Sequence, residues 1–194
     1  EEIAKSKIIK EFIISTDSKT IHNISKKYNA IFNGLRPTDL SEDNALTIDV
    51  VKYELKKLGK NLQNYSHVML LQPTCPLRTY KNIDESIEKL FNSKGRSLIS
   101  VVQLTSYHPL RMKKILNGKL FNYIDTGFED MRPRQKLPKV YIRNGSIYLA
   151  NIEDVLSLST FSTPDCIPYE MGEDESVNID SESDLLLAEY YLRK

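Results

Sequence analysis

Strand and helix signals alternate over the first hundred residues, and this alternation constrains the fold more than any other feature of the sequence. Apolar, β-branched runs at 11–16, 30–37, 67–71 and 97–104 are typical of buried strands. Apolar residues at helical spacing lie between the runs, for example over residues 44–58. Strands alternating with helices predict a mostly parallel sheet covered by helices on both faces. The expected fold class is therefore α/β.

The second half of the chain has a different character. Alternating apolar residues flank Asn117–Gly118, a pair that favours a two-residue hairpin turn, and residues 139–150 indicate a long strand. Residues 181–194 predict a helix that is capped by a serine and has acidic residues in its first turn. We therefore expect a single domain, residues 1–194, that carries a β-rich insertion over residues 105–140, and we predict that this insertion mediates dimerisation.

The charge balance, the apolar content and the cysteines limit the kinds of partner and the cellular setting that the sequence indicates. The 27 Lys and Arg residues nearly balance the 26 Asp and Glu residues, so net charge does not indicate nucleic acid or a membrane surface as a partner. The sequence contains neither a long apolar run nor a signal-peptide pattern. Cys75 and Cys166 lack metal-type spacing, which indicates a reduced, cytoplasmic setting. The first residues read as the end of a helix that enters a strand, so we expect an N-terminal truncation.

The segment 72–78, QPTCPLR, is a stiff polar loop between a predicted strand and a predicted helix. Pro73 and Pro76 restrict its backbone, while Gln72 can donate and accept hydrogen bonds and Arg78 can pair with phosphate or carboxylate. Ligands of open parallel sheets collect at the carboxyl ends of strands, where this loop is expected to lie. The alternative is an ordinary connection in which Arg78 forms a surface ion pair.

The motif LLQPTCPLRT closely resembles the LLQPTSPLR motif of the cytidylyltransferases that activate sialic acid and related nine-carbon sugar acids, the CMP-N-acetylneuraminate synthetases. The similarity extends over nearly the whole chain, in the order IISTDS, LRPTDLSEDNALTIDVV, RPRQKLPKVYIRNGSIYLA and SVNIDSESDLLLAEYYL. It implies a Rossmann-like nucleotidyltransferase fold. The glycine-rich basic loop with which that family begins is absent from the sequence, which agrees with the expected truncation and leaves the activity of this fragment alone in question.

The resemblance implies that the anomeric hydroxyl of a 2-keto sugar acid attacks the α-phosphate of CTP, with Mg²⁺ or Mn²⁺ as the cofactor. The expected partners are CTP, a sialic-type acid and a second copy of the chain. Two alternatives stay open at this point. The acid could be legionaminate, pseudaminate or the eight-carbon 3-deoxy-octulosonate, or the chain could be a non-catalytic sugar-nucleotide-binding or dimerisation module.

The resemblance also implies roles for individual residues. Asp180 is expected to bind the metal, although Asn178 stands where relatives have a second aspartate. The alternative is that Asp180 caps the last helix together with Ser181. Arg36 and Thr47 occupy nucleotide-binding positions of the family, although an Arg-Pro turn and a threonine cap are also common without ligands.

Gln72, Asn144 and Tyr148 are expected to contact the sugar acid, and strand geometry places the last two on one face. The loops around Met131 and Phe161 are expected to shape the pocket for the acyl groups.

Arg111 and Arg134 are expected to reach the triphosphate in the site of a partner subunit, which makes the site composite and the protein a homodimer. The alternative is that both are surface arginines in a basic stretch. We predict no acid–base role for His108 and no nucleophilic role for Cys75, because no adjacent base is evident.

Overall fold

A computed structural model describes residues 1–194. It contains one four-stranded sheet, a separate two-stranded hairpin and six α-helices. The strands are β1 (His67–Leu70), β2 (Ser97–Gln103), β3 (Lys113–Leu116), β4 (Lys119–Asn122), β5 (Tyr141–Asn151) and β6 (Ile167–Met171). The helices are α1 (Glu2–Lys5), α2 (Lys19–Ser25), α3 (Thr47–Lys57), α4 (Tyr80–Phe91), α5 (Ile152–Leu158) and α6 (Glu182–Leu192).

The main sheet has the strand order β1–β5–β2–β6 and confirms the α/β fold class. Strand β2 pairs parallel with β6, and β5 runs antiparallel to both β1 and β2, so three of the four strands point the same way. The direction of β5 follows from its connection. The chain leaves β2 at Gln103 and returns at Tyr141, which pairs with that same residue, so it re-enters the sheet at the end where it left.

Helices cover both faces of this sheet, as the sequence predicts. Helix α4 packs on one face through Ile83, Ile87 and Leu90, and α3 and α5 pack on the other. Neighbouring side chains of β5 point to opposite faces of the sheet. Ile147 belongs to the hydrophobic cluster under α4, and Tyr148 packs against the cluster under α3 and α5. Helix α4 begins with a capping box in which Thr79 and Asn82 satisfy each other's backbone N–H groups.

The two predicted N-terminal strands are much shorter than expected. Residues 11–16 and 30–37 form one isolated parallel bridge, between Ile13 and Ile31. Two backbone hydrogen bonds accompany it: Ile31 N donates to Phe12 O at 2.8 Å, and Arg36 N donates to Thr16 O at 2.9 Å. Apolar composition favours a strand at each place, but a ladder needs a continuous pairing partner. In this structure neither segment joins the main sheet.

The predicted hairpin within residues 105–140 is confirmed. Asn117 and Gly118 have φ angles of 51° and 72°, as a primed two-residue turn requires, and they join β3 to β4. The apolar side chains of this region are largely solvent-exposed, Ile115 by 74% and Leu120 by 66%. No helix of the structure combines the length and the apolar character needed to cross a membrane.

Candidate functional site

The loop after β1 is held against β5 by Arg78. The Nη1 atom of Arg78 donates to the carbonyl oxygens of Ser146 at 2.7 Å and Gln72 at 3.4 Å. It forms no ion pair with a carboxylate, and burial lowers the pKa of the guanidinium. Arg78 is therefore not in a surface ion pair, and its Nε and Nη2 atoms make no hydrogen bond in the protein. Its observed contacts fix the loop that presents Gln72.

Gly145 is the point where three segments of the site meet. Its φ angle is +79°, a left-handed value that glycine adopts at little cost. A Cβ atom on this residue would lie 2.8 Å from Gln72 Oε1, 3.2 Å from Cys75 Sγ and 3.7 Å from Asn178 Oδ1. The first two distances are shorter than ordinary van der Waals contact. The absence of a side chain at Gly145 therefore leaves room for Gln72 and Cys75 against β5, with Asn178 beside them.

Asp180 lies beside this meeting point. Ile179 N donates to Thr74 O at 2.8 Å, which ties the segment that precedes α6 to the loop after β1. The Nδ2 atom of Asn178 donates to Asp180 Oδ2 at 2.6 Å, and the other carboxylate oxygen accepts no hydrogen bond from the protein. The structure thus brings Gln72 and Asp180, 108 residues apart in the sequence, to one site.

The alternative role of Asp180 as a helix cap is not what the structure shows. Helix α6 has Ser181 as its N-cap, and Ser181 forms a reciprocal capping box with Asp184. This arrangement lowers the pKa of the Asp184 carboxyl through hydrogen bonds from Ser181 and the backbone. Because Asp184 satisfies the helix terminus, the Asp180 carboxylate remains available.

The oxygen donors at this site fit a magnesium-type ion with few protein ligands. The structure holds no group of three or more His, Cys, Asp or Glu side chains arranged for a metal. Mg²⁺ prefers oxygen ligands, retains several waters and commonly takes only one or two carboxylates together with phosphate oxygens. Asp180 supplies one carboxylate, and Asn178 supplies a neutral amide in place of a second.

Asn144 is buried, and its amide is used inside the protein. Its Oδ1 accepts from Ser100 Oγ at 2.6 Å and from Ser146 N at 3.2 Å. Its Nδ2 donates to Ser176 Oγ at 2.9 Å and lies 3.3 Å from Met171 Sδ. These contacts fix the stretch of β5 that contains Gly145.

The expectation that Asn144 and Tyr148 share one face of the sheet is wrong. Tyr148 packs with the α3 and α5 cluster, its ring 6.0 Å from that of Phe161, whereas the Asn144 amide lies on the α4 side. A register shift opposite Ile99–Val101 breaks the strict alternation of β5. Phe161 is itself a core residue, whereas Met131 is 80% exposed, and the expectation that the loops around them shape the acyl pocket stays a prediction.

Arg36 belongs to the second N-terminal segment, residues 30–37, and Thr47 begins α3. Arg36 Nε donates to Ser41 Oγ at 3.1 Å, and its Nη2 lies 3.8 Å from Asp17 Oδ1, so part of the guanidinium is already engaged. Thr47 is the first residue of α3 and is exposed. Leu46 occupies the N-cap position, and no side chain caps this helix. The Thr47 hydroxyl is therefore not used as a cap.

Arg111 and Arg134 line one cavity of about 320 Å³ in the 105–140 region. Lys139 and His108 lie in the same wall, which makes the cavity basic. The imidazole of His108 is within 3.0 Å of the Pro138 carbonyl oxygen through Nε2 and accepts from the Leu110 N–H through Nδ1, which is a structural role. The two arginines therefore lie together in one cavity, and their role at a partner's triphosphate stays a prediction.

A forked ion pair fixes the neighbouring backbone. Arg132 donates to Asp130 through Nη2 at 2.6 Å and through Nε at 3.0 Å. Hydrogen bonds from Arg132 lower the pKa of Asp130 to about 2. Arg111 Nη2 donates to the carbonyl oxygen of Arg132 at 2.6 Å, so this ion pair also holds Arg111.

Comparisons with known proteins bear on the family and on the fold of this chain. No family model matches the sequence. The chain is 30% identical over 187 residues to the CMP-N,N'-diacetyllegionaminic acid synthase of Legionella pneumophila, covering 95% of this chain and 79% of that protein. It is 28% identical over 191 residues to the N-acylneuraminate cytidylyltransferase of Escherichia coli, covering 97% of this chain and 43% of that one.

The fold is shared with a solved CMP:2-keto-3-deoxy-manno-octonic acid synthetase complexed with CTP. The TM-score is 0.66 at 11% identity, covering all of this chain and 86% of the other. At this identity the likeness shows the fold alone.

Proposed function

The chain belongs to the acylneuraminate cytidylyltransferase family, and from this membership we infer that it transfers the cytidylyl group of CTP to a nine-carbon 2-keto sugar acid. The observation that carries the proposal is the meeting of Gln72, Gly145 and the 178–180 segment at one site. In the proposed reaction the anomeric hydroxyl of the acid attacks the α-phosphate, the bond between the α-phosphate and the pyrophosphate breaks, and pyrophosphate leaves.

We propose that Asp180 is the protein ligand of the metal, Mg²⁺ or Mn²⁺. Support comes from the carboxylate oxygen that has no partner in the protein and from the capping of α6 by Ser181 and Asp184 instead. A bound Mg²⁺ would neutralise phosphate charge. The Asn178 amide contributes orientation, because its hydrogen bond restricts the rotation of the Asp180 carboxylate.

Gln72 is proposed to bind the sugar acid, and the roles of its neighbours follow from their contacts. The carbonyl oxygen of Gln72 is held by Arg78, while its side-chain oxygen lies against Gly145, close to which Asn178 Oδ1 also lies. Asn144 supports the same site from beneath, because its amide is committed to internal hydrogen bonds. Tyr148 is half-buried, and its hydroxyl makes no hydrogen bond in the protein, so a contact with the acid would use that hydroxyl.

CTP is proposed to lie near Arg36 and Thr47. Residues 11–16 and 30–37 run parallel, so their carboxyl ends, at Thr16 and Arg36, lie together, as the hydrogen bond between them shows. The exposed Thr47 hydroxyl has no capping role and can bond the ribose or the base. Arg36 retains a guanidinium nitrogen, Nη1, with no protein partner.

We also propose a homodimer in which Arg111 and Arg134 serve the triphosphate of the partner subunit. The 105–140 region exposes many large apolar side chains beside a basic cavity, a combination expected of an arm that packs on a second subunit. Clustered arginines match the charge of a triphosphate. Both cysteines are free thiols, which supports the proposed cytoplasmic location.

Pyrophosphate release by the full-length protein tests the reaction. With N-acetylneuraminate and Mg²⁺, we expect release from CTP and at most a few per cent of that rate from UTP, ATP or GTP. A protein that binds CTP in calorimetry but releases no pyrophosphate with any of the candidate acids would instead be the non-catalytic binding module. Equal rates with all four nucleotides would contradict a cytidine-selective site.

A further inference from the structure

Glu54 is a buried carboxylate in the middle of α3 that lacks a cationic partner. Its exposed fraction is 7%, and no Lys, Arg or His nitrogen lies within 4.0 Å of it to form an ion pair. Burial of an unpaired carboxylate is costly unless hydrogen bonds compensate. An apolar residue at this position would fill the same space between helix and segments at lower cost, so the presence of a carboxylate requires a reason.

The carboxylate of Glu54 joins two segments that form no strand ladder and share one isolated bridge and two backbone hydrogen bonds. Ser15 Oγ donates to Glu54 Oε1 at 2.6 Å, and Asn33 Nδ2 donates to Glu54 Oε2 at 3.1 Å. One oxygen thus holds the first N-terminal segment, and the other holds the second. The segments themselves share a single bridge, between Ile13 and Ile31, in place of a strand ladder.

Both segments lead to the region of Arg36, near which CTP is proposed to lie. Ser15 precedes Thr16, whose carbonyl oxygen accepts from the backbone N–H of Arg36 at 2.9 Å. Asn33 lies three residues before Arg36. Thr47 stands on the same helix as Glu54, two turns earlier, which is about 10 Å along the axis at 1.5 Å per residue. One side chain therefore links the helix of Thr47 to the loop of Arg36.

We propose that Glu54 is a positioning residue that sets the relative placement of Arg36 and Thr47 for nucleotide binding. The proposal rests on the placement of CTP given above. The two hydrogen bonds that the buried Glu54 carboxylate accepts substitute for the ladder that the segments lack, and they align the ends of both segments with the start of α3. Glu54 itself does not touch the nucleotide. Its effect should appear in CTP affinity and not in the chemical step.

Substitution at position 54 of the full-length protein tests this role. Glu54→Leu keeps the helix and fills the space but leaves Ser15 and Asn33 without an acceptor. We expect the Kd for CTP, measured by calorimetry, to rise about tenfold. This is the size of effect expected when the two hydrogen bonds that place Arg36 relative to Thr47 are lost. The KM for the sugar acid and kcat at saturating CTP should change less than twofold. Glu54→Gln should stay within about threefold of wild type, since the introduced amide can accept from Ser15 and donate to a reoriented Asn33.

Asp154→Asn provides the matched control. Asp154 is also buried in a helix, with an exposed fraction of 6%, but it pairs with Arg96 at 3.3 Å and forms no hydrogen bond with either N-terminal segment. We expect Asp154→Asn to lower the melting temperature without changing the Kd for CTP. A merely structural Glu54 would behave in the same way.

The outcomes separate the two proposals. Wild-type affinity for CTP in Glu54→Leu would overturn the role of Glu54. An equal rise in the KM for the sugar acid would overturn it as well. If Glu54→Leu failed to fold, the Ser15→Ala and Asn33→Ala double variant, which removes both donors and leaves Glu54 in place, should reproduce the loss of CTP affinity. Its wild-type affinity would refute the proposal. A wild-type protein that does not bind CTP would instead overturn the proposed function.

Discussion

Gly145→Ala should damage both the stability of the protein and the binding of the sugar acid. A β-carbon at this position meets Gln72 Oε1 at 2.8 Å and Cys75 Sγ at 3.2 Å, on a backbone with a φ angle of +79°. The strained backbone of an alanine there costs about 1–2 kcal/mol. The glutamine end can swing away, whereas the buried Cys75 has little room, so displacement of its sulfur adds about 1 kcal/mol or more of overpacking. The expected total loss is about 2–3 kcal/mol.

Gly59→Ala is the control for backbone strain alone. Gly59 also has a left-handed φ angle, +54°, but a β-carbon there meets nothing within 4 Å. Denaturant titration should therefore show a loss of about 1 kcal/mol for Gly59→Ala and at least twice that for Gly145→Ala.

Kinetics separate the displacement of Gln72 from the loss of stability. If Gly145→Ala pushes the glutamine amide off the site, the KM for the sugar acid should rise roughly tenfold, while the KM for CTP stays within twofold. Gly59→Ala should leave both constants unchanged. Equal stability losses in the two glycine variants, together with an unchanged KM for the acid in Gly145→Ala, would refute the assigned contact.

Three further predictions concern the metal site, the dimer and the ion pair of the arm. Asp180→Ala should retain the circular dichroism of the wild type but lose on the order of 10²-fold in rate at every Mg²⁺ concentration, and full recovery at saturating Mg²⁺ would contradict the ligand role. Asp180→Ala and Arg134→Ala, each inactive, should regain up to about half of normal activity per heterodimer after verified subunit exchange, since one site is then intact. No recovery would show that Arg134 serves its own chain. The loss of stability caused by Asp130→Asn should reach its full size above pH 4 and should fade towards pH 2. The reason is that the pKa of Asp130 is about 2 in the folded protein, below its value in the unfolded chain. An effect that is independent of pH in denaturant titrations would disprove that linkage.

Features with a local cause could be predicted from the sequence. The Asn117–Gly118 turn has a backbone preference of its own, and the alternating residues beside it form the hairpin. Helix α4 starts after Thr79, where the capping residue and the apolar spacing agree. The loop at the carboxyl end of β1 also lies where strand topology predicts a site, with Gln72 facing the segment of Asp180.

Features that depend on long-range placement could not be predicted. The antiparallel direction of β5 follows from where the chain returns after residue 140, which no local pattern encodes. The burial of the Asn144 amide and of Phe161 depends on partners far along the chain. Glu54 reads as a solvent-facing helix residue until the positions of Ser15 and Asn33 are known.

The close approach at Gly145 has a signal in the sequence itself. An Asn-Gly pair inside a strand pattern indicates a bulge or a close approach of another segment. In the structure both occur, since the pairing register shifts in this region and the Gln72 side chain lies against the glycine. The register shift also explains why strict alternation does not hold between Asn144 and Tyr148.

Identification of the CMP-linked product by mass spectrometry tests the central claim most directly. The full-length protein is incubated with CTP, Mg²⁺ and, in separate reactions, N-acetylneuraminate, legionaminate, pseudaminate and 3-deoxy-octulosonate. We predict one CMP-sugar with a nine-carbon acid, formed in a one-to-one ratio with pyrophosphate, and little product with the eight-carbon acid. Product with the octulosonate alone, or none with any acid despite CTP binding, would contradict the account.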